Sequence, residues 1–114
     1  MTDNNTVPKA LSALVLQVMR MRRLAPLPQD RESIIRHIES ELAEVRAEEI
    51  GSQKDMRERG DVLALALNLA LAVDEEGVAG LVDIAARAAE KMRLRLDQVE
   101  LKGKTWGQAK RAAP

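Results

Sequence analysis

Apolar residues recur every three or four positions along most of the chain, which is the spacing of one face of an α-helix. This pattern predicts four main helices and a short final one. The predicted ranges run from Pro8 to about Ala25, from Asp30 or Ser33 to about Ile50, from about Asp55 to Val73, from Leu81 to about Val99, and from Thr105 to Lys110. The fold class predicted from the pattern is therefore all-α, with the four main helices arranged as a bundle.

The third predicted helix is unusually apolar. Between Val62 and Val73 its only polar residue is Asn68. This run is well short of the roughly 18 to 20 residues that cross a bilayer. A helix that is apolar on most sides has to be covered on most sides, and one chain of 114 residues has little material for that. We therefore expect a second subunit to supply part of the cover.

Composition points to one domain spanning residues 1–114, with loose tails at 1–7 and 112–114. Hydrophobic residues make up 46% of the chain, which is too much for a disordered protein. Phe, Tyr and Cys are absent, so the core is aliphatic, and disulfides, thiol catalysis and cysteine-bound zinc are excluded. No secretory signal pattern precedes the first helix. We expect a cytoplasmic protein.

The charges balance overall but are unevenly distributed. Eighteen Lys and Arg match eighteen Asp and Glu, so no net field attracts the protein to a nucleic acid polymer or to an anionic membrane. Acidic residues are in excess from 30 to 100, and basic residues are in excess on both sides of that range. This distribution suits a site that holds metal cations beside a polyphosphate.

A doubled acidic pattern is the most informative feature. Glu41 and Glu44 on the second helix are three residues apart, as are Glu58 and Asp61 at the start of the third. This spacing places both carboxylates of a pair on one helix face, so two neighbouring helices can point all four into one pocket. Four such groups repel unless a cation neutralises them, and hard divalent ions prefer oxygen ligands. The alternative interpretation is that both pairs belong to solvated charged faces.

Three sequence motifs resemble those of the MazG-like all-α nucleoside triphosphate pyrophosphohydrolases, and they follow one another along the chain in the same order as in that family. The first is the doubled acidic pattern. The second is Lys-Met-Arg-Leu-Arg-Leu-Asp-Gln-Val-Glu at 91–100, and the third is Thr-Trp-Gly-Gln-Ala-Lys at 105–110. Together the motifs cover roughly residues 33 to 111. The chain departs from the family pattern at Ser40 and Arg57, where a second acid often stands, and at Met92 and Leu96, where the family has aromatic residues.

The resemblance implies a MazG fold in a homodimer or homotetramer. It also implies hydrolysis of a nucleoside triphosphate to the monophosphate and pyrophosphate, with Mg²⁺ or Mn²⁺ as cofactor. The metal ligands would be Glu41, Glu44, Glu58 and Asp61, and one of these carboxylates could also take a proton from the attacking water. The implied role is the removal of non-standard, damaged or surplus nucleotides.

Basic and aromatic residues near the end of the chain are candidates for substrate binding. Lys91 and Arg95 lie one turn apart and can bind one polyphosphate, Arg95 as a fork and Lys91 as a point charge. Alternatively, they form a solvated basic turn near a helix C-terminus. Trp106 can stack on a base or cover the pocket, although a lone Trp is more often a core or interface anchor. Lys110, one turn later, can reach a phosphate.

Two isolated polar residues have two interpretations each. Asn68 lies two turns beyond Asp61 and can line the nucleotide pocket, or it can satisfy a neighbouring backbone group inside the protein. His37 lies one turn before Glu41 and attracts attention as the only His, but we expect a surface residue. The basic end of the first helix, formed by Arg20, Arg22 and Arg23, is expected to be solvated or to interact with the helix dipole rather than to bind a substrate.

Two other functions stay open. Phosphoribosyl-ATP pyrophosphohydrolases share the helical acid signature, although the terminal Trp-x-x-Ala-Lys fits them poorly. The third possibility is a non-enzymatic helical oligomer or interaction module, in which the acids are solvated. Such a module would show no dependence of thermal stability on divalent ions, whereas occupied metal sites raise the melting temperature.

Overall fold

The computed structural model describes residues 5–24, 30–72 and 77–114, and these ranges contain helices and no strands. The helices are α1 (Thr6–Leu24), α2 (Arg31–Ala47), α3 (Gln53–Leu71), α4 (Val78–Lys102) and α5 (Trp106–Ala112). The prediction of an all-α protein with four main helices and a short final helix is confirmed. The predicted helix ends at Ala25 and Val73 lie outside the described residues.

Local hydrogen bonds set the helix boundaries. Asp30 rather than Ser33 caps α2, because Asp30 Oδ2 accepts a hydrogen bond from the Ser33 backbone N–H at 3.1 Å. Ser52 caps α3 by accepting from the backbone N–H of Asp55 at 3.0 Å. Gly103 ends α4 with a φ of 62°, a left-handed conformation that glycine adopts without steric penalty. Each boundary therefore follows from residues within one turn of it.

α3 lies at the centre of the fold. It packs against α2, against α1 and against α4, and α5 packs on α4. The connection at 48–52 is short, so the chain reverses direction between α2 and α3 and the two helices make the most extensive contact in the structure. The buried apolar residues are Val18, Ile34, Leu65, Leu71 and Ala109. The first four of these come from α1, α2 and α3, whereas Ala109 lies on α5, which packs on α4.

One face of α3 is buried, and the prediction of burial on most sides is not met within one chain. Leu65, Asn68 and Leu71 lie on the buried face. Leu63 is 45% exposed and Ala66 is exposed as well. The apolar run of this helix therefore keeps part of its surface in water in the single chain.

The end of the chain is held against α4, although the sequence predicts a loose tail there. The carbonyl oxygen of Ala113 accepts a hydrogen bond from Arg95 Nε at 3.0 Å. At the other end, α1 already includes Thr6 and Val7, which were expected to be part of the N-terminal tail. Among the described helices, none combines the length and the apolar character needed to cross a bilayer.

Candidate metal centre

Three of the four predicted carboxylates converge between α2 and α3. Glu41, Glu44 and Glu58 each place a carboxylate oxygen within 4.8 Å of the other two. Glu41 and Glu44 share one face of α2 because they are three residues apart. The short connection at 48–52 brings the start of α3 opposite this face. The three residues are called the acidic cluster below.

Two oxygens of the acidic cluster are buried without a donor. Glu41 Oε2 and Glu58 Oε2 are shielded from water, and no hydrogen-bond partner reaches either atom from the described part of the chain. A buried polar atom without a partner destabilises the protein. As long as all three carboxylates are ionised, they accept hydrogen bonds and cannot donate them, so none of them donates to these two oxygens. Within the described residues, no donor therefore satisfies these two oxygens.

The pKa of Glu58 reflects this crowding. The neighbouring carboxyl group of Glu44, which can share a proton with Glu58, raises the pKa of Glu58 above its usual value. Partial burial and the charges of Glu44 and Asp61 raise it further, while a contact with Glu41 lowers it. Like charges at short range favour the protonated form of one member. A divalent cation would relieve the same repulsion without a proton.

Asp61 lies beside the acidic cluster, and its carboxylate is not among the three whose oxygens lie within 4.8 Å of one another. Asp61 is exposed on α3, one turn after Glu58. Both residues line an open depression of about 690 Å³ that Leu14 of α1 also lines. The charge of Asp61 reaches Glu58, because it contributes to the raised pKa of that group. The role of Asp61 as a fourth metal ligand stays a prediction.

Two basic residues that were not among the predicted site residues line the same depression. Lys54 and Arg57 precede Glu58 on α3. Lys54 Nζ lies 3.1 Å from Glu48 Oε1. This ion pair, assisted by the charges of Glu58 and Glu44, raises the pKa of Lys54. The spacing of four residues between Lys54 and Glu58 places both on one helix face, and this signal could have identified Lys54 from the sequence.

His37 lies at the edge of the acidic cluster. Its Nε2 atom is 3.5 Å from Glu41 Oε1, and its side chain is 49% exposed. The expectation of a surface residue is met. The contact with Glu41 follows from their i, i+4 spacing on α2.

The described contacts do not bring the predicted substrate-binding residues of α4 and α5 to the acidic cluster. Lys91 is exposed and lines a groove of about 620 Å³ formed by α4 and the C-terminal residues, to which α2 and α3 contribute nothing. The Arg95 guanidinium lies 6.0 Å from the ring centroid of Trp106, which is 42% exposed. Lys110 is exposed on α5. The predicted roles of these four residues in binding a nucleotide stay untested.

Asn68 connects two helices. It is 3% exposed, and its Oδ1 atom accepts a hydrogen bond from Arg22 at 2.7 Å. Arg22 is half-buried, so of the two expectations for the basic end of α1, solvation does not hold at this residue. This contact favours the structural interpretation of Asn68 and leaves its predicted role in a nucleotide pocket untested.

Comparisons with protein-family models, with curated proteins and with solved structures each find no match for this chain. The chemistry of the site therefore rests on its own residues. The acidic cluster offers oxygen donors only, two of them buried without partners. Hard divalent cations such as Mg²⁺ and Mn²⁺ prefer this donor set, so the residues present fit such an ion.

Proposed function

We propose that this chain hydrolyses a (deoxy)nucleoside triphosphate at the α-phosphorus, giving the nucleoside monophosphate and pyrophosphate, with Mg²⁺ as cofactor and Mn²⁺ as a substitute. The observation that carries the proposal is the convergence of Glu41, Glu44 and Glu58, with two buried oxygens that no donor satisfies. The resemblance of the three sequence motifs to MazG-like pyrophosphohydrolases supports the same activity. The proposed role is nucleotide-pool housekeeping in the cytoplasm.

The acidic cluster would hold the divalent ion, with Asp61 as the proposed fourth ligand. When bound, such an ion neutralises phosphate charge and lowers the pKa of a coordinated water. In the proposed reaction, a water oxygen bonds to the α-phosphorus while the bond from that phosphorus to the departing pyrophosphate breaks. One carboxylate of the site accepts the proton of the water. No covalent nucleophile is needed, which agrees with the absence of Cys from the sequence.

Positive groups are also required along the polyphosphate, because negative charge develops on its oxygens as the bond breaks. Lys91 and Arg95 are the proposed groups, with Lys110 as a further phosphate contact, Trp106 as a cover for the base and Asn68 in the pocket wall. One chain does not bring Lys91 and Arg95 to the acidic cluster. In the proposed homodimer or homotetramer, a neighbouring copy would have to supply them.

Product analysis tests the proposed reaction. Purified protein is incubated with Mg²⁺ and, separately, with each common nucleoside triphosphate, with modified triphosphates and with phosphoribosyl-ATP, and the products are identified by phosphorus NMR. Monophosphate and pyrophosphate are expected. Orthophosphate with a diphosphate would contradict attack at the α-phosphorus. Turnover of phosphoribosyl-ATP and of no other substrate would favour a phosphoribosyl-ATP pyrophosphohydrolase. No turnover of any substrate would favour a non-enzymatic helical oligomer.

Two substitutions test the assignment of the carboxylates. Glu41→Gln and Asp61→Asn should each abolish turnover while the helical circular dichroism signal is retained. The matched control is Glu39→Gln, because Glu39 is an exposed acid on α2 outside the acidic cluster. Full activity in either of the first two variants would remove that residue from the proposed metal site.

A further inference from the structure

The end of the α2–α3 pair that carries the acidic cluster contains no fully buried apolar residue. Ile34 on α2 and Leu65 on α3 are buried. The structure describes every residue between these two positions, and Asp55 is the one among them that is buried. Asp55 is 1% exposed. The buried side chain at this end of the helix pair is therefore a charged one, which needs polar partners.

Both carboxylate oxygens of Asp55 have such partners. Its Oδ2 atom accepts a hydrogen bond from the backbone N–H of Gly51 at 2.9 Å, and Arg59 Nη2 lies 3.0 Å from the same oxygen. Its Oδ1 atom accepts from Arg59 Nε at 3.2 Å. Glu41 and Glu58, in contrast, each have a buried oxygen without a donor among the described residues. Asp55 therefore serves a different role from theirs.

The contacts of Asp55 fasten the connection at 48–52 to the first turn of α3. The Asp55 carboxylate accepts from Gly51, and the backbone N–H of Asp55 donates to Ser52 Oγ at 3.0 Å. Gly51 has a φ of 86°, a left-handed conformation that glycine adopts without steric penalty. These bonds hold the connection in one conformation, which sets the position of the start of α3 relative to the end of α2.

We propose that Asp55 is the positioning residue of the acidic cluster: by holding the connection at 48–52, it keeps Glu58 opposite Glu41 and Glu44. Glu58 follows Asp55 by three residues, so both side chains lie on one face of α3. The three glutamates repel one another when no cation is bound, which acts to separate the two helices beside the connection. The contacts of Asp55 oppose this separation. The assignment rests on the proposed function, insofar as that function places a divalent ion between these glutamates.

Mn²⁺ affinity gives the first test, because electron paramagnetic resonance (EPR) measures free Mn²⁺ without any turnover. The wild-type chain should bind Mn²⁺, and Asp55→Ala should bind it about ten to a hundred times more weakly, the usual loss when a residue that orients metal ligands is removed. Asp55→Asn removes the same charge and keeps an oxygen acceptor for the Gly51 N–H, so its affinity should lie well above that of Asp55→Ala.

Two outcomes of this comparison would overturn the proposal. One is an Mn²⁺ affinity in Asp55→Ala equal to that of the wild type. The other is an equal loss in Asp55→Asn and Asp55→Ala, which would attribute the effect to the charge of Asp55 and not to the bond with Gly51.

Arg22→Met is the matched control for lost stability. Arg22 bonds to Asn68 near the other end of α3, so this variant should be less stable than the wild type and keep its Mn²⁺ affinity. Sucrose favours the folded state without restoring a lost hydrogen bond, and it keeps the less stable variants folded while circular dichroism verifies their helicity. An affinity loss in Arg22→Met equal to that in Asp55→Ala would show that affinity follows overall stability, against a positioning role.

Dipolar EPR between two spin labels measures the position of α2 relative to α3 with no metal present. The chain contains no Cys, so Glu39→Cys on α2 and Met56→Cys on α3 supply the labelling sites, and both positions are exposed. An excess of unlabelled chain restricts the measurement to distances within one chain. The distance distribution should broaden when Asp55→Ala is added to the labelled pair. An unchanged distribution would contradict the positioning role.

The two measurements separate a failure of this assignment from a failure of the proposed function. A wild-type chain that binds no Mn²⁺, combined with a distribution that broadens in Asp55→Ala, would contradict the proposed function and still support Asp55 as the residue that positions the three glutamates. Unchanged Mn²⁺ affinity and turnover in Asp55→Ala would overturn the role of Asp55 and leave the proposed function standing.

Discussion

The Arg22 guanidinium donates a hydrogen bond of 2.7 Å to Asn68 Oδ1 and thereby joins the end of α1 to the buried face of α3. Asn68 is buried and Arg22 is half-buried, so most of this contact lies away from water. Hydrogen bonds that involve a charged group contribute about 1.5–3 kcal/mol, roughly twice as much as those between neutral groups. The only polar residue in the apolar run of α3 therefore contributes to the packing of α1.

Replacement of Asn68 by Leu should lower the free energy of unfolding by about 1.5–3 kcal/mol, because the half-buried Arg22 loses an acceptor. Urea unfolding of the single variants Asn68→Leu and Arg22→Met and of the double variant measures the coupling between the two residues. The double variant should lose less stability than the sum of the single variants. Unchanged stability in Asn68→Leu, together with a raised KM for a nucleotide, would instead assign Asn68 to the substrate pocket.

Glu58→Gln should have opposite effects on stability with and without a divalent ion. In metal-free buffer the variant should be more stable than the wild type, because one of three crowded carboxylates loses its charge. Added Mg²⁺ should raise the melting temperature of the wild type by mass action, equivalent to about 2.7 kcal/mol at a hundredfold excess over Kd. The variant should lose this response and Glu39→Gln should keep it. An equal response in all three proteins would remove Glu58 from the metal site.

Asp55 should make stability depend on pH in the acid range. The backbone N–H of Gly51, 2.9 Å from Asp55 Oδ2, and the ion pair with Arg59 lower the pKa of Asp55 below its usual 3.8. The folded protein therefore holds the ionised form more strongly than the unfolded chain does. The resulting stability is complete above pH 3.8 and is lost as the pH falls through the folded pKa. Thermal unfolding between neutral and acid pH should show this loss in the wild type.

Asp55→Asn is the matching variant for that experiment. It should be less stable than the wild type at neutral pH, because a neutral amide replaces the carboxylate beside Arg59. The difference between the two proteins should shrink as the pH falls below 3.8. A difference that stays constant over the whole range would contradict a lowered pKa for Asp55.

Glu58 should produce a pH dependence of the opposite sign when no divalent ion is bound. Its pKa is raised above the usual 4.5, so the unfolded chain releases this proton before the folded protein does. Stability should then fall as the pH rises from 4.5 through the folded pKa. Chemical unfolding in the presence of a chelator measures this slope, and Glu58→Gln should reduce it. A wild-type slope that matches that of Glu58→Gln would contradict the predicted crowding.

Thr105→Ala should loosen α5 without unfolding the remainder of the chain. Thr105 and Gln108 form a capping box, in which the Thr105 hydroxyl accepts from the Gln108 N–H at 3.2 Å and the Gln108 side chain accepts from the Thr105 N–H at 3.0 Å. Loss of such a cap destabilises a helix by about 1 kcal/mol. Amide hydrogen exchange should accelerate at 106–112 and remain unchanged in α2. Trp106 fluorescence provides a second readout, because it is the only Trp in the chain.

The sequence by itself determined the number and order of the helices and placed their ends to within about three residues, because helix formation depends on residues within about one turn of each other. The caps of α2 and α3 at Asp30 and Ser52 and the glycine that ends α4 are local signals of this kind. The shared face of Glu41 and Glu44 is also local, since a spacing of three residues fixes it on any helix.

Only the tertiary structure decided which residues of different helices meet. It brought Glu58 to the acidic cluster and left Asp61 at its side, although the two residues lie one turn apart on α3. It also placed Arg22 where it donates a hydrogen bond to Asn68, and Arg95 where it donates one to the carbonyl oxygen of Ala113. Such contacts depend on how each helix is rotated about its axis and how it crosses its neighbours. Packing sets these quantities, and the spacing of residues along one chain does not encode them.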